Sequence, residues 1–111
     1  MNGIEGKNNM NFNLINKSNA NLLISIHLNK FSESRYSGWQ SFYRKNDNNS
    51  KNLAKSIQQN LNLSIQKENK RQALSISNKY IIDKTSLPAT IVECGFLSNN
   101  EELNLLKTEE Y

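Results

Sequence analysis

Leu22-Leu23-Ile24-Ser25-Ile26-His27-Leu28 is the stretch that decides how this chain folds. It is short, apolar and rich in branched side chains, so it reads as a buried strand of a sheet covered on both sides. Alternation along a strand puts Leu23, Ser25 and His27 on one face and Ile24, Ile26 and Leu28 on the other. The strand closes on the only histidine of the chain, His27. Two explanations stand for that imidazole. It is a core histidine bonded to backbone, or a group held at the sheet rim for chemistry.

Reading outward, residues 1–9 are Asn-, Gly- and Lys-rich and read as loose. Met10–Lys17 places Met10 and Leu14 on one helical face, giving a short helix before the strand. After a polar loop and Gly38, Trp39–Tyr43 (WQSFY) suits a second strand through its aromatics. Asn46–Asn49 reads as a turn, with Ser50 as the cap of a helix whose apolar residues Leu53, Ala54, Ile57 and Leu61 recur every three or four positions. Tyr80–Ile82 reads as a short strand and Ala89–Glu93, opened by Pro88, as another buried one. Ser98 with Glu101 fits a capping box for a last helix bearing Leu103, Leu105 and Leu106. Strands alternating with helices indicate an α/β layered fold in a single domain over residues 1–111.

With 111 residues and a net charge of +4, the chain can bury one modest core, and no stretch concentrates its basic residues. Nucleic acid is therefore not an expected partner. No apolar run nears the roughly 20 residues that span a bilayer, and the polar start carries no signal-peptide core. The single cysteine, Cys94, excludes an internal disulfide and an all-cysteine zinc cage. Beside a buried strand it reads as core filling, with a nucleophile activated by His27 as the weaker alternative.

Glu93 ends the Ala89–Glu93 strand as His27 ends its own. If the two strands run parallel in one sheet, both side chains reach the rim where α/β sheets gather ligands. An imidazole and a carboxylate there suit zinc hydrolysis, in which the carboxylate shuttles the proton of an activated water. The competing reading of Glu93 is a salt bridge to Lys84 or Arg71.

The run from Pro88 to Glu102, P-A-T-I-V-E-C-G-F-L-S-N-N-E-E, resembles the C-terminal motif of zinc-dependent N-acetylmuramoyl-L-alanine amidases, its last acidic position filled by Glu101 or Glu102. Ser25–Asn29 (SIHLN), Gly38–Tyr43 (GWQSFY), Leu53–Leu61 and Lys70–Ala73 resemble further motifs of that family, in the family's order. The wording is most similar to the sporulation and germination branch, which acts on spore-cortex peptidoglycan. The resemblance implies cleavage of the amide between the lactyl group of N-acetylmuramic acid and the L-alanine of the stem peptide. It implies Zn2+ held by two histidines and a glutamate, with a further glutamate assisting. Carried over by motif, His27 is the second histidine ligand and Glu93 the catalytic glutamate. It also implies a place outside the cytoplasmic membrane.

The family opens with a D-P-G-H-G-like strand and a helix that supply the other two ligands, and neither motif occurs in this sequence. Glu5 is the only acid upstream of His27. The expected fold is thus a partial amidase-type sheet with flanking helices, its first strand and first helix missing. That leaves a bare strand edge or an uncovered apolar face. A non-catalytic cell-wall-binding or regulatory remnant of the same fold is the alternative function.

Overall fold

The computed structural model describes residues 14–15, 17–29, 33–65 and 67–111, with Tyr80 and Ile81 as backbone alone. In chain order the elements are β1 (Leu23–Asn29), β2 (Gln40–Arg44), α1 (Asn48–Ser64), β3 (Leu74–Ile76), α2 (Tyr80–Asp83), β4 (Ala89–Phe96) and α3 (Asn100–Leu106). The strands form one mixed sheet in the order β1-β4-β2-β3. β1 runs parallel to β4, β2 antiparallel to β4, and β3 parallel to β2. The α/β class is as expected. Met10, Glu5 and the loose start lie outside the described residues, while Leu14, Ile15 and Lys17 are helical.

β4 is the centre of this sheet because its sequence is apolar on both faces. Register places Ala89, Ile91 and Glu93 beside Leu23, Ser25 and His27, with Phe42 and Gln40 on the far side. On this face Ile82, Ala89 and Ile91 form a core cluster, packed by Leu23, Phe42 and Ile76. The opposite face is covered by α1, which packs on β2 and β4. There the buried Ser41 hydroxyl donates to the Ala54 carbonyl at 2.8 Å, and its backbone N–H donates to Gln58 Oε1 at 2.7 Å.

Several local expectations are corrected. The residue capping α1 is Asp47, whose carboxylate accepts from the Ser50 N–H at 3.0 Å. Ser50 lies inside the helix, fully buried, where its Oγ accepts from the Ala89 N–H at 2.9 Å. Four adjacent residues, Asp47 to Ser50, all suit a cap, and packing against β4 selects among them. Tyr80–Ile82 is not a strand. Lys79 O accepts from the N–H groups of Ile82 and Asp83, closing one helical turn, and the remaining strand is Leu74–Ile76. Arg44 fixes that turn, donating from Nε to Ile82 O at 2.8 Å and from Nη2 to Leu87 O at 2.5 Å. α3 is capped by Asn99, one residue after Ser98.

Its apolar run predicts β1 to be buried on both sides, but β1 is an edge strand with one face open. Its outward residues Ile24, Ile26 and Leu28 are 41%, 70% and 52% exposed. The sequence is written for a covered strand, and no described element of this chain reaches that face.

Because Ile26 stands in water already, Ile26→Thr is expected to change the free energy of urea unfolding by under about 0.5 kcal/mol while reducing light scattering of concentrated protein. The Asp47 carboxyl is held below its ordinary value, first by the Ser50 backbone N–H, against partial burial, and further by the Ser50 hydroxyl and Arg44. A depressed carboxyl stabilises the fold above its unfolded value of about 3.9, and that contribution is lost as pH falls through the folded value. Asp47→Asn keeps a capping side chain without the charge, so its acid unfolding curve should be flatter below about pH 4 than the parent's.

Candidate active site

Parallel pairing of β1 on β4 sets His27 opposite Glu93, and antiparallel pairing of β2 on β4 sets Gln40 opposite the same residue. The three side chains form a row across adjacent strands, on one face, at the carboxyl ends of β1 and β4. Register shifts just beyond, so that Asn29 pairs with Phe96 and β4 carries an extra residue. Gly95 adopts φ +133 there, a conformation open to glycine, and the bulge turns the chain out of the sheet directly after the row.

Each member of the row is held differently. The Gln40 amide is engaged at both ends. Its Oε1 accepts from Arg71 Nη1 at 2.7 Å and its Nε2 donates to Gln72 O at 2.8 Å. His27 is exposed, and its Nε2 lies 2.7 Å from Ser25 Oγ. It is therefore not a core histidine tied to backbone. Glu93 is half-buried, and its Oε2 is shielded from water with no hydrogen-bond partner among the described residues. The salt-bridge reading of Glu93 is not met. Arg71 donates from Nε to Ser37 O at 2.9 Å, serves Gln40, and stacks over Phe96 at 5.3 Å, and no described ion pair joins Glu93 to it or to Lys84. A buried carboxylate oxygen without a donor is costly unless a cation or water completes it.

Cys94 lies on the other face, buried, its thiol pushed up by burial and then by the Glu93 charge. It is core filling, and the nucleophile alternative falls. Sequence reasoning placed Glu102 only as the end of a motif. The structure makes it a clamp: 4% exposed, its carboxylate accepts from the Gly38 N–H at 2.8 Å and the Phe96 N–H at 2.6 Å. This ties the entry of β2 and the exit of β4 to α3. Glu101, its neighbour, is exposed. A Cβ on Gly95 would meet Glu102 Oε1 at 2.6 Å, so the glycine is required twice over. The only sequence signal for the clamp was an acid at fixed distance from E-x-G-F. An open groove of about 700 Å3 beside it is lined by Lys67, Glu68, Lys70 and Tyr111 among others, but by neither His27 nor Glu93.

One imidazole and one donor-starved carboxylate oxygen stand in register on neighbouring strands. A catalytic zinc takes three protein ligands. Among the described residues no group of three or more His, Cys, Asp or Glu side chains comes together for a metal. No described helix is long and apolar enough to cross a membrane.

Residues 5–111 match the family described as N-acetylmuramoyl-L-alanine amidase. A germination-specific N-acetylmuramoyl-L-alanine amidase of Bacillus subtilis is 39% identical over 88% of this chain and 41% of its own length. The CwlD amidase of Clostridioides difficile, solved in complex with the GerS lipoprotein, superposes with a TM-score of 0.93 at 38% identity, covering 100% of this chain and 58% of that one. An N-acetylmuramoyl-L-alanine amidase of Clostridium difficile superposes with a TM-score of 0.85 at 29% identity, over 94% of this chain and 56% of that one. The chain thus spans about half the length of the relatives it matches.

Removing the Glu102 carboxylate strands two buried N–H groups at roughly 1–3 kcal/mol each. Glu102→Ala is therefore expected to lose on the order of 2–6 kcal/mol in urea unfolding followed through Trp39 fluorescence, and Gly95→Ala to fall in the same range.

Proposed function

This chain belongs to the N-acetylmuramoyl-L-alanine amidase family, and from that membership we propose that it carries the proton-transfer half of a peptidoglycan amidase site. The reaction is hydrolysis of the amide between the lactyl group of N-acetylmuramic acid and the L-alanine of the stem peptide. The observation that carries the reading is the shielded, unpartnered Glu93 Oε2 in register with His27 at the ends of two parallel strands.

His27 would hold zinc from this chain, with the remaining ligands supplied by the parts of the domain that the relatives have and the described residues lack. When bound, that ion supplies Lewis-acid polarisation of the amide carbonyl and an acidified water. Glu93 takes a proton from the attacking water at its carboxylate and returns it to the departing amine nitrogen of L-alanine. Gln40, locked by Arg71 and the Gln72 carbonyl, stands in register with Glu93 on the side away from His27. The germination-specific relative supports spore peptidoglycan as the substrate and a site of action outside the cytoplasmic membrane. The lipoprotein complex of the C. difficile relative supports a protein partner of that kind.

A second reading, a wall-binding or regulatory remnant, is favoured by one observation: the described residues bring together no complete ligand set. Joining this chain to the preceding segment of the B. subtilis relative separates the two. Turnover of purified peptidoglycan is expected from the joined protein. There Glu93→Gln should lower the rate about 100- to 10,000-fold with zinc content intact, whereas His27→Ala should lose the zinc. Equal zinc loss in both variants reverses the assignment, and wall binding without turnover in the joined protein supports the remnant.

A further inference from the structure

We propose that Arg71 binds a carboxylate of the stem peptide, close to the amide that Glu93 serves. The inference rests on the amidase reading and adds the charged feature of the substrate that this chain selects.

Arg71 is fixed through backbone and side chain alike. Its N–H donates to Asn69 Oδ1 at 3.0 Å, and its carbonyl accepts from Asn62 Nδ2 at 3.0 Å. Nε donates to Ser37 O at 2.9 Å, Nη1 donates to Gln40 Oε1 at 2.7 Å, and Cζ lies 5.3 Å from the Phe96 ring centre. A guanidinium carries five N–H donors in one plane, so these contacts leave Nη2 to spare. Among the described residues Nη2 makes no hydrogen bond and Arg71 joins no ion pair. Ser37 O, Gln40 and Phe96 are neutral, so they hold the group without cancelling its charge. The buried Glu102 carboxylate is committed to the N–H groups of Gly38 and Phe96. A half-buried, oriented guanidinium with donors free suits a carboxylate, whose two oxygens match its fork.

Its place selects the group it meets. Gln40 is in register with Glu93 on the next strand. With strands about 5 Å apart and the Gln40 side chain added, the guanidinium lies roughly 8–10 Å from Glu93. An extended peptide advances about 3.3–3.6 Å per residue, so a carboxylate on the second residue after the scissile amide comes within reach. Stem peptides whose second residue is a γ-linked D-glutamate present an α-carboxylate there. A Cβ on Gly38 would meet Arg71 Nε at 3.1 Å, and Gly38 with Ser37 lines the open groove of about 700 Å3. The rest of the peptide has room in that groove. Lys67 and Lys70 line it together with Glu68 and Glu101, so its own charges offset and the discrimination falls to Arg71.

The test titrates the whole chain, followed by NMR, with L-alanyl-γ-D-glutamate and with the same dipeptide amidated at its α-carboxylate. The acid is expected to bind about fivefold tighter or more, as a charge-assisted hydrogen bond discounted for exposure. It should also shift the Arg71 Nε resonance. The preference should shrink at high salt, fall to within twofold in Arg71→Gln and persist in Arg71→Lys. Equal affinities, no binding of either ligand, or a preference that survives Arg71→Gln overturns the inference. The comparison of acid with amide is made on the parent chain, so it decides the matter even where a variant fails to fold. Loss of the preference alongside turnover by the joined protein removes this inference alone. A carboxylate preference without turnover keeps the anion site and removes the amidase reading.

Discussion

Register between β1 and β4 is the constraint on which the site depends. Side chains alternate with a period of two, so a slip of one residue would carry His27 to the face of Val92 and Cys94, away from Glu93. What fixes the register is apolar: Leu23 packs with Ala89 and Ile91 in the core cluster, and the same alternation carries the polar row at the strand ends. The Glu102 clamp and the Gly95 bulge then stop the pairing one step beyond the row. Core and site are thus consecutive stretches of one strand face.

The legible parts of the fold were those written in local pattern. The branched runs of β1 and β4, the aromatics of β2 and the three-to-four spacing of α1 each located an element to within a few residues. β3 and α2 were not legible. Leu-Ser-Ile is too short to show a period, and Tyr80-Ile81-Ile82 is strand-like in composition yet folds as a turn of helix held by Arg44 from another element. Caps were misplaced where several capping residues adjoin, because the choice is made by tertiary contacts such as Ser50 with Ala89.

The site divides the same way. His27 and Glu93 stood out because ionisable groups at the ends of apolar strands are conspicuous. Gln40, Arg71 and Glu102 did not, since their roles arise between residues far apart in the chain, Gly38 with Glu102 and Gln40 with Arg71. The edge position of β1 was equally hidden. Its sequence describes a covered strand, and only the strand order shows where the cover stops.

The uncovered face of β1 also bears on the heat capacity of this chain. Unfolding an ordinary domain exposes fresh hydrocarbon to water and raises the heat capacity by about 12–15 cal/mol/K per residue. Here Leu22, Ile24, Ile26 and Leu28 are substantially wetted before unfolding begins. The increment is correspondingly smaller, and the curve of free energy against temperature is shallower.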